Sequence, residues 1–212
     1  MVYDTHGVFS SPRGWHTLRA FGHPDVTVLQ GGLPAWLSEG YDCHSDSDPI
    51  EPPTRAPLEV WTLRTASQWS MKMVQANINH PSHQHIDLRP AGRFTGEVPE
   101  PREGMRSGHV PNSSNLPFME LLTRDGPEGE LLQLKPVAEL VEILEKAGVT
   151  TGSPPGRPIM ASCGSGMTAA HLALAVEVAY PGSEHVGIYD GSWTEWGGEA
   201  GTAQGMPVVK GK

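Results

Sequence analysis

Cysteine is scarce in this chain, two in 212 residues. Two thiols cannot build a disulfide framework, and Cys43 lies in the polar stretch GYDCHSDSD, so a reducing compartment is the simplest expectation. Long apolar runs are missing as well. No stretch approaches the roughly 20 residues that a bilayer-crossing helix requires. The opening MVYDTHGVFSSPRG turns polar within three residues, unlike an export signal. The expectation is a soluble chain that docks on no membrane. Basic residues are the minority: 15 Lys and Arg stand against 24 Asp and Glu, a formal net charge of −9. That balance, with no basic run anywhere, excludes a general nucleic-acid binder.

What is present is concentrated around the other cysteine, in PIMASCGSGMTAAHLALA. Ile159 and Met160 read as the end of a buried strand, the Gly-Ser-Gly run as a tight turn, and residues 168–179 as a helix. Cys163 therefore sits where a strand gives way to a helix. Gly164 and Gly166 are free to take backbone angles closed to other residues, which lets successive N–H groups converge above the helix N-terminus. Such a point favours negative charge, and a thiolate held there is a nucleophile at neutral pH. The alternative is a small buried core cysteine, the commoner fate of a free thiol. The flanking glycines at a strand-to-helix turn favour the activated one.

The sequence also repeats itself. GHPDVTVLQGGLPAW and GSEHVGIYDGSWTEW align with Gly22/Gly182, Val26/Val186, Gly31/Gly191 and Trp36/Trp196 in register. Upstream, VYDTHGVFSSPRGWHTLRAFG parallels the cysteine segment as strand, loop and helix, with a somewhat longer loop and no thiol. Between the copies, HSDSDPIEPPTRAP is rich in proline and acid and reads as a linker. The second copy runs LEVWTL as a strand, TASQWSMKMVQANI as a helix, HQHIDLR as a strand, a long loop to LPFMELL, and PVAELVEILEKAG as a helix. Strands alternating with helices imply an α/β fold with an open parallel sheet, helices on both faces and a reactive site beyond the carboxyl ends of the strands. The expected organisation is the closing half of a non-catalytic copy at 1–43, a linker at 44–57 and a complete catalytic copy at 58–212, so that the chain opens inside a domain.

Three spaced segments, DLRPAGRFTGEVPEPREGMRSGHVPNSSNLPF, ASCGSGMTA and YDGSWTEW, resemble the tandem-domain rhodanese-like sulfurtransferases, nearest to the mercaptopyruvate sulfurtransferases. The resemblance implies a rhodanese-like fold and makes Cys163 the persulfide-forming nucleophile, with Ser165 beside it as a catalytic residue. It places Arg93 on the arginine of a GRF motif and Arg102 on that of a PEPR motif, both substrate-binding, together with Gly164, Gly166, Met167 and Thr168. The implied reaction moves a sulfur from 3-mercaptopyruvate through the Cys163 persulfide to a thiol acceptor, such as thioredoxin or a small thiol, or to cyanide, and releases pyruvate. The implied partners are a small-molecule sulfur donor and that acceptor, with no cofactor or metal and a cytoplasmic or mitochondrial location.

The residue chemistry bears on this independently. Ala169 stands where a C-x5-R phosphatase loop needs its arginine, and GSGMT carries no cation, so a doubly charged anion such as thiosulfate has no partner in the turn itself. A monocarboxylate gripped by arginines from another loop fits better. Thiosulfate transfer, and a carrier that holds persulfide without turnover, remain the alternatives. His80, His83 and His85 have no further ligand at a metal-binding interval. His109 reads as a turn residue, Trp193 and Trp196 as packing at a helix start with Trp193 a possible wall of the site, and Asp87 and Asp190 as loop braces.

Overall fold

The computed structural model describes residues 1–43, 62–64, 67–125, 131–149, 157–182 and 186–211. In chain order these form α1 (Ser11–Ala20), α2 (Gly32–Ser38), β1 (Gln68–Trp69), α3 (Met71–Asn79), β2 (Gln84–Asp87), α4 (Ala91–Thr95), β3 (Ser113–Asn115), a 3-10 turn (Phe118–Leu121), β4 (Leu122–Asp125) and β5 (Leu131–Leu134). There follow α5 (Val137–Lys146), β6 (Ile159–Ser162), α6 (Ala170–Ala179), β7 (Gly187–Tyr189), α7 (Ser192–Trp196) and α8 (Glu199–Ala203). The linker at 44–57 and most of LEVWTL lie outside the described residues.

Five strands pair in the order β1-β7-β6-β2-β3, every pairing parallel. The α/β class and the open parallel sheet are those expected. The central strand β6 is buried at all four positions, as a strand covered on both faces must be. Its side chains alternate between two cores. Ile159, Ala161 and Cys163 join Ile86, Leu88 and Ile188 under α5 and α6, while Met160 joins Trp69, Tyr189, Met71 and Val74 on the side of α3 and α7. Helix α6 has no polar face because it lies over the sheet with α5 and α1 against its flanks, and Ala170 through Val176 are all buried.

Three local readings change. The described part of TASQW, Ser67 to Trp69, is not part of the helix. Gln68 and Trp69 pair with Ile188 and Tyr189 as an edge strand, and Ser70, extended at φ −100°, caps α3 by accepting the Met73 N–H. The loop before α5 contains an antiparallel hairpin, β4 with β5, outside the main sheet. The loop that opens at Asp4, expected to be the longer, is not longer than the cysteine loop, because Asp4 precedes α1 by the same seven residues that separate Cys163 from α6.

Residues 1–43 do not stand apart from the rest. Val8 and Trp15 belong to the same apolar cluster as β6 and α6. Gly7, at φ +98°, lies so close to Leu132 that an added Cβ would sit 2.1 Å from its carbonyl oxygen. Among the described residues no helix is long and apolar enough to cross a membrane.

Candidate active site

Strand β6 ends at Ser162 and delivers Cys163, 2% exposed, to the carboxyl edge of the sheet. The cysteine's own backbone is held from the opposite loop. Its N–H donates to Ser192 Oγ at 3.1 Å, Ser192 Oγ donates to Tyr189 O at 2.7 Å, and the Trp193 N–H donates to Cys163 O at 3.0 Å. Ser192 is fully buried and left-handed at φ 48°, a conformation that costs about 1–3 kcal/mol for a residue with a side chain. Two hydrogen bonds of its hydroxyl offset that strain. Thr194 continues the clamp, donating both its N–H, at 2.9 Å, and its Oγ1, at 2.7 Å, to Gly164 O.

The turn after the cysteine is open where the backbone of Cys163 is closed. Among the described residues no acceptor takes the N–H groups of Gly164, Ser165, Gly166, Met167 or Thr168. Five free donors ahead of a ten-residue helix form an anion cradle. The special backbone angle is confined to Gly166, at φ +77°, where a Cβ would also press within 2.8 Å of Asp190 O; Gly164 does not use it. Ser165 and Met167 are exposed at the rim. Arg13, reaching across from α1, donates to Gly166 O at 3.3 Å and pairs with Asp190 at 2.6 Å.

The cleft over this turn has a volume of about 310 Å³ and brings together Cys163, Gly164, Ser165, Met167, Thr168, Arg93 and Arg102. Gly166 is buried behind it. The residues missed by sequence reasoning are Arg89 and Glu100, which link the cleft's charges. Arg89 is 1% exposed and binds Asp87 through Nε and Nη2, Glu100 through Nη1 at 2.8 Å and Gly108 O through Nη2 at 2.8 Å, with its guanidinium 4.1 Å from the Trp193 ring centre. Glu100 accepts in turn from Nε and Nη2 of Arg93 on α4. Two guanidiniums and two carboxylates thus balance. Arg102 donates to Thr194 Oγ1 and, among the described residues, faces no carboxylate. Among the described residues, and leaving Cys163 itself aside, the side chains of the cleft therefore carry one cation in excess.

Several polar residues resolve into braces. Trp193 is buried beneath Arg89, its Nε1 donating to Arg106 O, and does not line the cleft. His109 places Nδ1 2.8 Å from Phe94 O and stacks on that ring. Among the described residues no three metal-ligating side chains cluster. His85 lies 2.7 Å from Ser162 Oγ, and burial lowers its pKa from 6.5 to about 4, against the attraction of Asp87. The folded chain holds this ring neutral where the unfolded chain protonates it. The stability it contributes is complete above pH 6.5 and should fall by roughly 3 kcal/mol as pH drops toward 4. Urea denaturation across that window should show a shallower pH slope for His85→Gln; identical slopes would count against it.

Residues 70–199 match the sequence model of the rhodanese-like domain. The thiosulfate/3-mercaptopyruvate sulfurtransferase 1, mitochondrial, of Arabidopsis thaliana is 39% identical over 92% of this chain and 53% of its own length. The 3-mercaptopyruvate sulfurtransferase of Rattus norvegicus is 37% identical over 92% of this chain and 61% of its own. The crystal structure of SseA from Escherichia coli, a 3-mercaptopyruvate sulfotransferase, superposes with a TM-score of 0.67 at 34% identity, covering 90% of this chain and 65% of that one. The chain thus spans between 53% and 61% of the length of these two curated relatives.

Proposed function

The chain belongs to the rhodanese-like domain family, and from that footing we propose that it is a sulfurtransferase that takes its sulfur from 3-mercaptopyruvate. The Cys163 thiolate attacks the substrate sulfur. The carbon–sulfur bond breaks, its electron pair leaves on carbon as the enolate of pyruvate, and the substrate's thiol proton, passed directly or through solvent, completes pyruvate. Cys163 then carries the outer sulfur as Cys–S–S⁻, whose charge lies against the free N–H groups of residues 164–168. A thiolate acceptor, small or on a protein such as thioredoxin, attacks that sulfur, the sulfur–sulfur bond breaks, and the Cys163 thiolate returns. Cyanide would serve in the same step and leave as thiocyanate.

The observation that carries the choice of donor is the single excess cation. Asp87 and Glu100 neutralise Arg89 and Arg93, so the cleft offers the net charge that one carboxylate needs, with Arg102 as its partner and Arg93 lining the same space. A dianion such as thiosulfate would be left half-compensated. Ser165, on the rim, is a hydroxyl within the turn that can meet the leaving enolate. Residues 1–43 we read as the closing half of a non-catalytic copy, and the compartment as mitochondrial or cytoplasmic.

Pyruvate release with mercaptopyruvate, set beside thiocyanate formation with thiosulfate and cyanide, tests the assignment. Mercaptopyruvate should be the better donor. Arg102→Ala should weaken its use by roughly 1.5–3 kcal/mol, the range for a charge-assisted hydrogen bond, and Arg93→Ala by less, since Glu100 already holds that side chain. Thiosulfate preferred by the unaltered chain, or an Arg102→Ala variant with undiminished kcat/KM, would overturn it.

A further inference from the structure

The loop of the first copy repeats the spacing of the cysteine loop with an anion already in place. Asp4 stands the same seven residues before its helix as Cys163 does before α6. Its Oδ1 accepts the His6 N–H at 2.8 Å, and its Oδ2 accepts those of Phe9, Ser10 and Ser11 at 2.9, 2.9 and 2.8 Å. Four backbone donors on one carboxylate hold residues 5–10 in a single shape. What that shape presents lies in the catalytic copy. Val8, fully buried, turns its carbonyl to His171 Nε2 at 3.0 Å, and Nδ1 of the same ring lies 3.2 Å from Thr168 O, at the far end of the cysteine turn. Phe9 forms part of the cleft wall, its ring 6.2 Å from that of Phe118. His6 O accepts the Leu132 N–H at 3.2 Å and ties the loop to β5.

We propose that Asp4 is a positioning residue for the site, its carboxylate filling the anion position of the first-copy loop so that this loop holds His171, the Thr168 end of the cysteine turn and the Phe9 wall in register. The proposal rests on the sulfur-transfer reading for its kinetic consequence, but not for its geometry. Asp4→Ala leaves four N–H groups without their acceptor and an opening of the size of a carboxylate, which formate can enter. Asp4→Asn keeps one oxygen for the three donors now on Oδ2 and loses the fourth.

The full-length chain should be compared as wild type, Asp4→Asn and Asp4→Ala, well below the melting temperature of each. Formate should raise the melting temperature of Asp4→Ala and leave wild type unmoved. The alanine variant should lose about tenfold in kcat/KM for mercaptopyruvate, mainly through KM, with part of the loss restored by formate and a smaller loss in Asp4→Asn. Lowered melting temperature with unchanged kcat and KM would show a merely structural carboxylate and overturn the proposal, as would a formate-insensitive Asp4→Ala. If the alanine variant does not fold, the asparagine variant decides by its KM. If the unaltered chain does not turn mercaptopyruvate over, the sulfur-transfer reading fails separately. Alkylation of Cys163 by iodoacetamide, with the exposed Cys43 as internal reference, then decides: its rate must change in the Asp4 variants, and an unchanged rate overturns the inference.

Discussion

Serine in place of Cys163 should reduce pyruvate release from mercaptopyruvate to background while leaving the melting temperature close to that of the unaltered chain. The sulfur atom is the one group at the end of β6 able to accept a second sulfur covalently; a hydroxyl there stays protonated near neutral pH and forms no persulfide. The change removes little volume from a 2% exposed position, and the backbone bonds to Ser192, Trp193 and Thr194 do not involve the side chain. Loss of function and retention of fold therefore separate cleanly. Cys43, exposed and outside the cleft, should be dispensable, and Cys43→Ser should transfer sulfur at the wild-type rate. Turnover retained by Cys163→Ser would move the nucleophile elsewhere.

Alanine in place of Arg89 should cost about 3–5 kcal/mol of stability, the loss expected when one partner of a buried ion pair is removed and the other is left without compensation. The guanidinium satisfies Asp87, Glu100 and Gly108 O together while stacking over Trp193, and both carboxylates are within 2% of full burial. Lysine at the same position keeps the charge but cannot span two carboxylates with a planar fork, so Arg89→Lys should recover less than half of the loss. Glu100, losing one of its two arginines, would also draw Arg93 differently and weaken the donor site. Chemical denaturation of the two variants checks this; a loss below about 1 kcal/mol for alanine would mean that the pair does not organise the cleft.

The parts of this molecule that were legible in the sequence are those written in consecutive residues. An apolar strand, a Gly-Ser-Gly turn and an alanine-rich helix put Cys163 at a strand end, and the structure has it there. Arg93 and Arg102 were legible through resemblance, because nothing local distinguishes an arginine that lines a cleft from one on the surface. The charge balance was not legible at all: Glu100 meets Arg89 eleven residues away and Arg93 seven away only after the loop has folded back over the sheet. Ser192 looks like any small residue after a glycine until its left-handed backbone is seen. The edge strand at Gln68 and Trp69 is too short to show alternation, so the helical pattern following it absorbed it. The role of Asp4 needed the repeat and the hydrogen bonds together.

Cys163 should receive a sulfur atom from mercaptopyruvate. Intact mass of the chain after brief incubation with mercaptopyruvate and no acceptor tests it most directly, followed by digestion to locate the addition. The mass should rise by one sulfur, on the peptide containing Cys163, and that sulfur should be lost on addition of a thiol, with pyruvate already released. No added sulfur, or sulfur found on Cys43 instead, would contradict it.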